Sequence, residues 1–400
     1  MAILIAGQWV SQIGNDVYGL ALPWLVYSLY HSTTILGVTG GVAEAAALVS
    51  IVSGVFVDRW DRRRTMMAAD VVRGLACVGL FFMALTLSGS LAVLLALVVV
   101  LRLAGTFFGG ASWALMPKLV ADEDLPRASG AMSSALTSGG LLGMSLGGVI
   151  IGTVGAAGAF LADGISFLGS VVSLAFVRSE ASPPPAEIRH VQEVWEELKV
   201  GQGVIWKNRF LSRLVVVGVV LGLFSYAVMT LDVVWIRAIL QGSSLDYAAF
   251  VVAAGLGQIL GGLTVSHLMP RVSARNLNAL TIALAGLCIA ALSRLPFLLP
   301  DLGLMFLWGV AVDLQSVSLN VTIQRAIPNE MLGRVGGALG ALSASTVPLG
   351  MLLAGLGASI TSVPSVLLVA GLGMAAVGAA IPFFLPTTPA PPAGALATEA

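Results

Sequence analysis

Charge is scarce in this chain: Asp, Glu, Lys and Arg make up only 10% of its 400 residues, where soluble proteins carry roughly a quarter. A water-soluble fold is excluded. The twenty basic and twenty acidic residues cancel, so neither a basic surface for nucleic acid nor an acidic solvating chain is expected. Cysteine is nearly missing: Cys77 and Cys288 lie more than 200 residues apart in apolar runs. Without a C-x-x-C or neighbouring histidines, they read as buried small hydrophobes. The three histidines, His31, His190 and His267, sit near loops or the ends of apolar runs and assemble neither a triad nor a metal site. H-E-x-x-H and G-x-x-x-x-G-K-[ST] do not occur, and the one G-x-S-x-G match, Gly143-Met144-Ser145-Leu146-Gly147, lies inside an apolar run far from any histidine, so catalysis and ATP-driven pumping are not expected, and no cofactor or metal is.

Apolar surface is abundant: 58% of residues are hydrophobic and mean hydropathy is +0.97. A membrane-spanning helix needs roughly 20 mostly apolar residues. Twelve such stretches occur, near 3–28, 35–57, 66–87, 91–115, 127–150, 157–177, 210–236, 246–267, 276–297, 302–324, 332–358 and 364–385. Cytoplasmic loops retain Lys and Arg. With both termini inside, 17 of the 20 basic residues fall on the inner side; Arg237 and Arg294 lie near the outer side and Arg102 within a span. The opening apolar run continues into a full span and is not expected to be a cleaved signal.

The longest polar segment divides the chain into halves, residues 1–177 and 210–385, joined by a linker over 178–209. In the linker Ile188, Val191, Val194, Trp195 and Leu198 recur at helical spacing among acidic residues, which predicts an amphipathic helix on the inner membrane face. Residues 386–400 are Pro/Ala-rich and expected to be disordered. The halves repeat. At an offset of 207, Leu142-Gly143-Met144-x-Leu146-x-Gly148 matches Leu349-Gly350-Met351-x-Leu353-x-Gly355, and Leu125, Arg127, Gly130 and Ala131 match Leu332, Arg334, Gly337 and Ala338. Two six-helix halves in parallel repeat, with a substrate site expected between them, are the arrangement of rocking secondary transporters.

Ionisable groups inside spans are costly and are functional candidates by default. Asp16, beside Gln12 and Asn15 on one polar face, is the first candidate to carry a proton, with a structural hydrogen-bond acceptor as the alternative. Glu44 is a second protonation site, a contact for a cationic substrate or a structural acceptor. Arg102 must find an acidic partner; placed near Asp16 or Glu44, it would favour proton release. Asp163 is expected to pack or cap, Asp232 to be solvated, and Asp313 with Gln315, Ser316 and Asn320 to line a cavity from the second half. Asp70 and Arg73, one turn apart, are expected to brace the loop cluster that follows the second span. Trp24, Phe108, Tyr226 and Met229 are candidates for a permissive apolar pocket, although each alone fits a lipid-facing position better. Gly139, Gly143, Gly147 and Gly148 in the fifth span permit close packing, expected between the halves.

After the second span comes Gly54-Val55-Phe56-Val57-Asp58-Arg59-Trp60-Asp61-Arg62-Arg63-Arg64. This resembles the major facilitator superfamily signature G-x-x-x-D-[RK]-x-G-[RK]-[RK], with Asp61 in place of the second Gly. Five further elements in order resemble the branch containing macrolide-efflux proteins and the enterobactin exporter: Gly14-Asn15-Asp16 with Ala21-Leu22-Pro23-Trp24, Asp58-Arg59-x-x-Arg62-Arg63, Asp70-x-x-Arg73, Asp163-x-x-Ser166-Phe167, and Gln324-x-x-x-Pro328-x-x-x-x-Gly333-Arg334.

The resemblance implies an all-α membrane fold of twelve helices in two pseudo-repeats. It also implies a gate in which Gly54, Asp58, Arg59, Arg62, Arg63, Asp70, Arg73 and Arg334 take part and the Asp58 cluster latches one state. The fifth-span glycines resemble an antiporter element, with Met144 where Pro is usual. The function implied is proton-driven export of small amphiphiles across a lipid bilayer, by a monomer in a bacterial cytoplasmic membrane. A lipid or lysophospholipid transporter is the first alternative, and a transporter-like sensor or scaffold the second.

Overall fold

A computed structural model describes residues 2–57, 60–116, 119–120, 122–176, 191–327 and 331–384. The described residues are helical with short connections. Helix α1, Ala2–Tyr30, ends at His31, which turns the chain with a φ of 46°. Ser32 then caps α2, Thr33–Ala47, by accepting from the Ile35 N–H. The second expected span is interrupted: Leu48 and Val49 hydrogen-bond back only three residues, to Ala45 and Ala46. This tight turn separates α2 from α3, Ser50–Val57. Asp61 caps α4, Arg62–Thr86, and Ser90 caps α5, Leu91–Leu115.

The fifth and sixth expected spans are two helices that follow one another directly, labelled together α6, Leu125–Phe176, and divided at Gly155, whose φ of 78° and ψ of 176° are not helical. Glycine reaches that backbone region without a Cβ penalty, so the chain turns from one helix into the next at a single residue. Next come α7, Val191–Lys207, and α8, Arg209–Val234, capped by Asn208. The seventh span ends in a π turn, Trp235–Ile239. Helices α9 (Ser244–Leu268), α10 (Ala274–Leu292), α11 (Leu298–Ala326), α12 (Leu332–Ile360) and α13 (Val363–Phe384) complete the order.

Nine helical stretches among the described residues are long and apolar enough to cross a membrane. Their outward side chains are large and apolar: Leu75 is 67% exposed, Leu263 68% and Ile360 81%. Such a surface suits lipid and is prohibitive in water. Helix α1 carries Gln8, Gln12, Asn15 and Asp16, and is accordingly less apolar.

Contacts divide the chain into two units, Met1–Val191 with Gly242–Ala248, and Gln192–Gln241 with Ala249–Ala400. In the first, α1 packs along α6, and α4 packs against α6 and α5. In the second, α8 packs along α12, and α10 packs against α13 and α11. The pairing order repeats, as the 207-residue offset in the sequence requires.

One expectation about packing is corrected and one is extended. Helix α7 forms where the linker helix was expected and packs one side on the second unit. Ile205 is fully buried in the apolar core of the second unit, and Gly201 lies against the Arg334 carbonyl and Ala338 of α12. Its exposed side carries Trp195 and Trp206. The fifth-span glycines likewise serve the interior of the first unit. Gly139 faces Trp9 and Gln12, Gly143 faces Ile13 and Asp16, and Gly147 faces Val17 and Leu20. Spaced by four, these three glycines form one stripe of α6 on which α1 lies. Gly148 points elsewhere, at Ser244 and Ala248 in the first turn of α9.

Candidate functional site

The first unit gathers its interior polar groups where α1, α4 and α6 meet. A glycine of α1 lets the backbones approach. A Cβ at Gly14 of α1 would lie 2.6 Å from the Asp163 carboxylate, so only glycine admits that carboxylate beside the helix. On α4, Arg73 is 6% exposed and Asp70 0%. The two pair at 3.2 Å, and Arg73 also donates to Asn15 of α1. The guanidinium lies over the Phe167 ring of α6, 3.9 Å from its centroid, with Phe108 of α5 at 5.7 Å. A cation desolvated between two aromatic faces, a carboxylate and an amide keeps most of the stabilisation that water would give it.

One turn along both helices, Asp163 of α6 is fully buried. It accepts from the Cys77 thiol at 3.3 Å and from Ser166 at 3.4 Å. Among the described residues it has no ion pair.

This arrangement revises the reading of Asp70 and Arg73. Their one-turn spacing suggested a brace for the loop cluster. Instead both are interior, and Arg73 reaches across to Asn15. Phe108, expected in a substrate pocket, packs beside Arg73. Of the two expectations for Asp163, packing holds: it is fully buried and joins α6 to α4.

The remaining first-unit candidates lie closer to the surface. Asp16 accepts from Gln12 one turn earlier on α1 and borders Gly140 and Gly143. Glu44 of α2 pairs with Arg102 of α5, so Arg102 finds its acidic partner in Glu44 and not in Asp16. The Arg102 and Glu44 side chains are 39% and 26% exposed, open enough to exchange protons or meet a ligand. Trp24 stacks on Tyr247 at 6.1 Å.

Of the gate residues, Asp58 and Arg59 lie outside the described residues. Gly54 is in α3. Asp61, which departs from the superfamily signature, accepts from the Arg64 N–H at 2.8 Å and so starts α4. Arg63 donates to the Leu174 and Ala175 carbonyls, each at 2.7 Å, closing the C-terminal end of α6 with a positive charge. Arg62 opens α4, and Arg334 is exposed near the start of α12.

The second unit holds a cavity of about 540 Å³ between the N-terminal parts of α8 and α12 and the C-terminal part of α11. Gln315, Ser316, Asn320, Gln324 and Ser343 give it amide and hydroxyl groups, and Leu211, Leu214, Val215, Leu319, Ile323 and Leu339 give it an apolar wall. Among the described residues none that lines it is ionisable. Gln315 is where the sequence suggested. Asp313 is not: it lies against Gly261 and Gly262 of α9. Tyr226 packs its Cβ against Gly350, and Met229 is 59% exposed, with neither lining the cavity. Leu211, Ser343 and Gln324 were missed; the polar Ser/Asn/Gln run at helical spacing on α11 was the signal for the last of these.

Comparison with known proteins agrees with this architecture. The family model described as Major Facilitator Superfamily matches residues 4–347. The chain is 27% identical over 364 residues to the multidrug efflux pump Tap of Mycobacterium tuberculosis, covering 88% of this chain and 85% of that one. It is 26% identical over 372 residues to the enterobactin exporter EntS of Escherichia coli, covering 90% and 86%. Among solved structures, the nucleoside transporter NupG superposes with a TM-score of 0.76 at 13% identity, covering 96% of this chain and 99% of that one. That likeness concerns the fold.

Proposed function

We propose that this chain, which belongs to the Major Facilitator Superfamily, exports small amphiphilic molecules in exchange for protons. It is a multi-pass membrane transporter and not an enzyme. The observation that carries the proposal is the placement of interior charge: Asp16 with Gln12 on α1, and Glu44 with Arg102 between α2 and α5. Ionisable groups inside spans are costly and so are functional candidates by default. Two such sites of different partnership, one neutral and one cationic, suit loading on one side of a membrane and unloading on the other.

The cavity of the second unit supports an amphiphilic cargo, since it offers apolar contact together with amide and hydroxyl groups. The activities of two relatives, multidrug efflux and enterobactin export, support the outward direction. The basic residues of the inner loops support an orientation with both termini in the bacterial cytoplasm, in which the Asp58 cluster gates the inner side.

The test is recovery of a pH-sensitive dye in everted membrane vesicles challenged with macrolides, siderophores, lipophilic cations and lysolipids. One class should discharge the proton gradient. No response to any class, from protein shown to be inserted, would overturn proton antiport.

A further inference from the structure

We propose that the buried set Asp70, Arg73 and Asp163 holds one exchangeable proton on Asp163, a site separate from Asp16 and Glu44, and that Arg73 moves to Asp163 when the proton leaves. The first support is charge balance. Two carboxylates and one guanidinium are buried together, with exposures of 0%, 0% and 6%. The set is neutral only with one proton bound, and an uncompensated charge in such surroundings costs several kcal/mol.

The second support is partnership. Asp70 has the guanidinium at 3.2 Å, whereas Asp163 has only a thiol and a hydroxyl. Ionised, Asp163 would be served by two weak neutral donors; protonated, it is an acceptor and a donor in the same place. The proton therefore belongs on Asp163 while Arg73 holds Asp70.

The third support is reach. Cys77 and Arg73 are one turn apart on α4, and they meet Asp163 and Phe167, one turn apart on α6. The guanidinium thus sits about 5.4 Å, one helical pitch, from the Asp163 level. Its Nε has no hydrogen-bond partner and can donate to a new one, so the Asp70 pair lost on turning is exchanged for a pair with the newly ionised Asp163. When the proton passes to water, Asp163 becomes a carboxylate and Arg73 turns toward it across the Phe167 face. That movement breaks the Arg73 bond to Asn15 and frees α1, the helix that also carries Asp16. The other titratable groups around Asp163 are Tyr18 of α1, Cys77 of α4 and, farther off, Arg102 of α5; Arg102 is committed to Glu44.

The test is infrared difference spectroscopy on the purified full-length protein in lipid nanodiscs, without substrate, as pH is raised. Wild type should show the carbonyl stretch of a protonated carboxylic acid, lost at high pH, and the Cys77 S–H stretch should shift in the same titration. Asp163→Asn should lose that carboxylic component, and Asp70→Asn, which leaves one carboxylate to one guanidinium, should keep a titrating component but lose it at lower pH than wild type. Cys77→Ala assigns the thiol band and allows the reading to be made on wild-type protein should Asp163→Asn fail to fold.

A carboxylic band unchanged in Asp163→Asn, or a Cys77 band that does not respond to pH, would overturn the site. The outcome is independent of the antiport reading. A proton on Asp163 in protein that shows no substrate-driven proton movement in vesicles would refute antiport and leave this site standing.

Discussion

The two halves use one architecture with opposite chemistry at the same interface. Where α4 meets α6 in the first unit, the contact is ionic and polar: Asp70, Arg73, Cys77, Asp163 and Ser166. Where α10 meets α13 in the second, the contact is made by small residues. A Cβ at Gly286 would lie 2.5 Å from the Gly371 carbonyl, and one at Gly378 2.5 Å from the Ala283 nitrogen. The first interface has two arrangements of charge available to it; the second has only close packing, which admits one geometry. Under the proposed function, proton handling falls to the first half and a close-packed frame around a cavity of amide, hydroxyl and apolar groups to the second. Repetition of a fold therefore does not imply repetition of its chemistry.

The largest expected effect comes from removing the cation of the ionic interface. Arg73→Met leaves Asp70 buried without its partner and should cost about 3 to 5 kcal/mol, read as a fall in the thermal midpoint of detergent-solubilised protein. A loss near zero would break the comparison, since Arg73 would then be dispensable. Next, Gly371→Leu forces α10 and α13 apart and should cost about 1 to 3 kcal/mol. Gly303→Ala on α11, where an added Cβ meets nothing within 4 Å, should leave stability unchanged and serves as the control. Equal effects of the two would show that the second interface is not close-packed.

A smaller effect sharpens the role of the cavity. Gln315→Leu removes one neutral hydrogen-bonding group and should weaken substrate binding by about fivefold to tenfold, the equivalent of roughly 1 kcal/mol, while the thermal midpoint stays put. A larger loss of stability than of affinity would make Gln315 structural. The smallest is Arg63→Gln, which withdraws a charge from two carbonyls at the end of α6 and should cost about 0.3 to 1 kcal/mol, less at high salt. Salt-independent destabilisation would point to lost packing instead.

The spans were legible in the sequence because lipid demands long apolar runs, and the repeat was legible because related positions retain Gly and Leu at a constant offset. The helix breaks were not. Gly155 alone separates the fifth and sixth spans where a loop was expected, and the turn at Leu48 and Val49 falls in a run of Ala, Leu and Val with no breaker residue. At the site, the need of Arg102 for an acidic partner was readable from the cost of a buried cation, and Glu44 was one of the two partners anticipated.

The Asp70–Arg73 pair was misplaced because an i,i+3 spacing looks the same on a loop-side surface and in an interior. Only the helix opposite, with Asn15 and Phe167, distinguishes them. The same ignorance of what lies opposite put the glycine stripe of α6 between the halves when it serves α1. Spacing along one helix gives the face, and tertiary packing decides its neighbour.

The most direct test pairs Asp16→Asn with Gln315→Leu in the everted-vesicle assay, using the substrate class that moves protons in wild type. The account predicts that Asp16→Asn still binds substrate but no longer discharges the pH gradient, whereas Gln315→Leu needs more substrate to reach the same discharge. Full proton antiport retained in Asp16→Asn would contradict it.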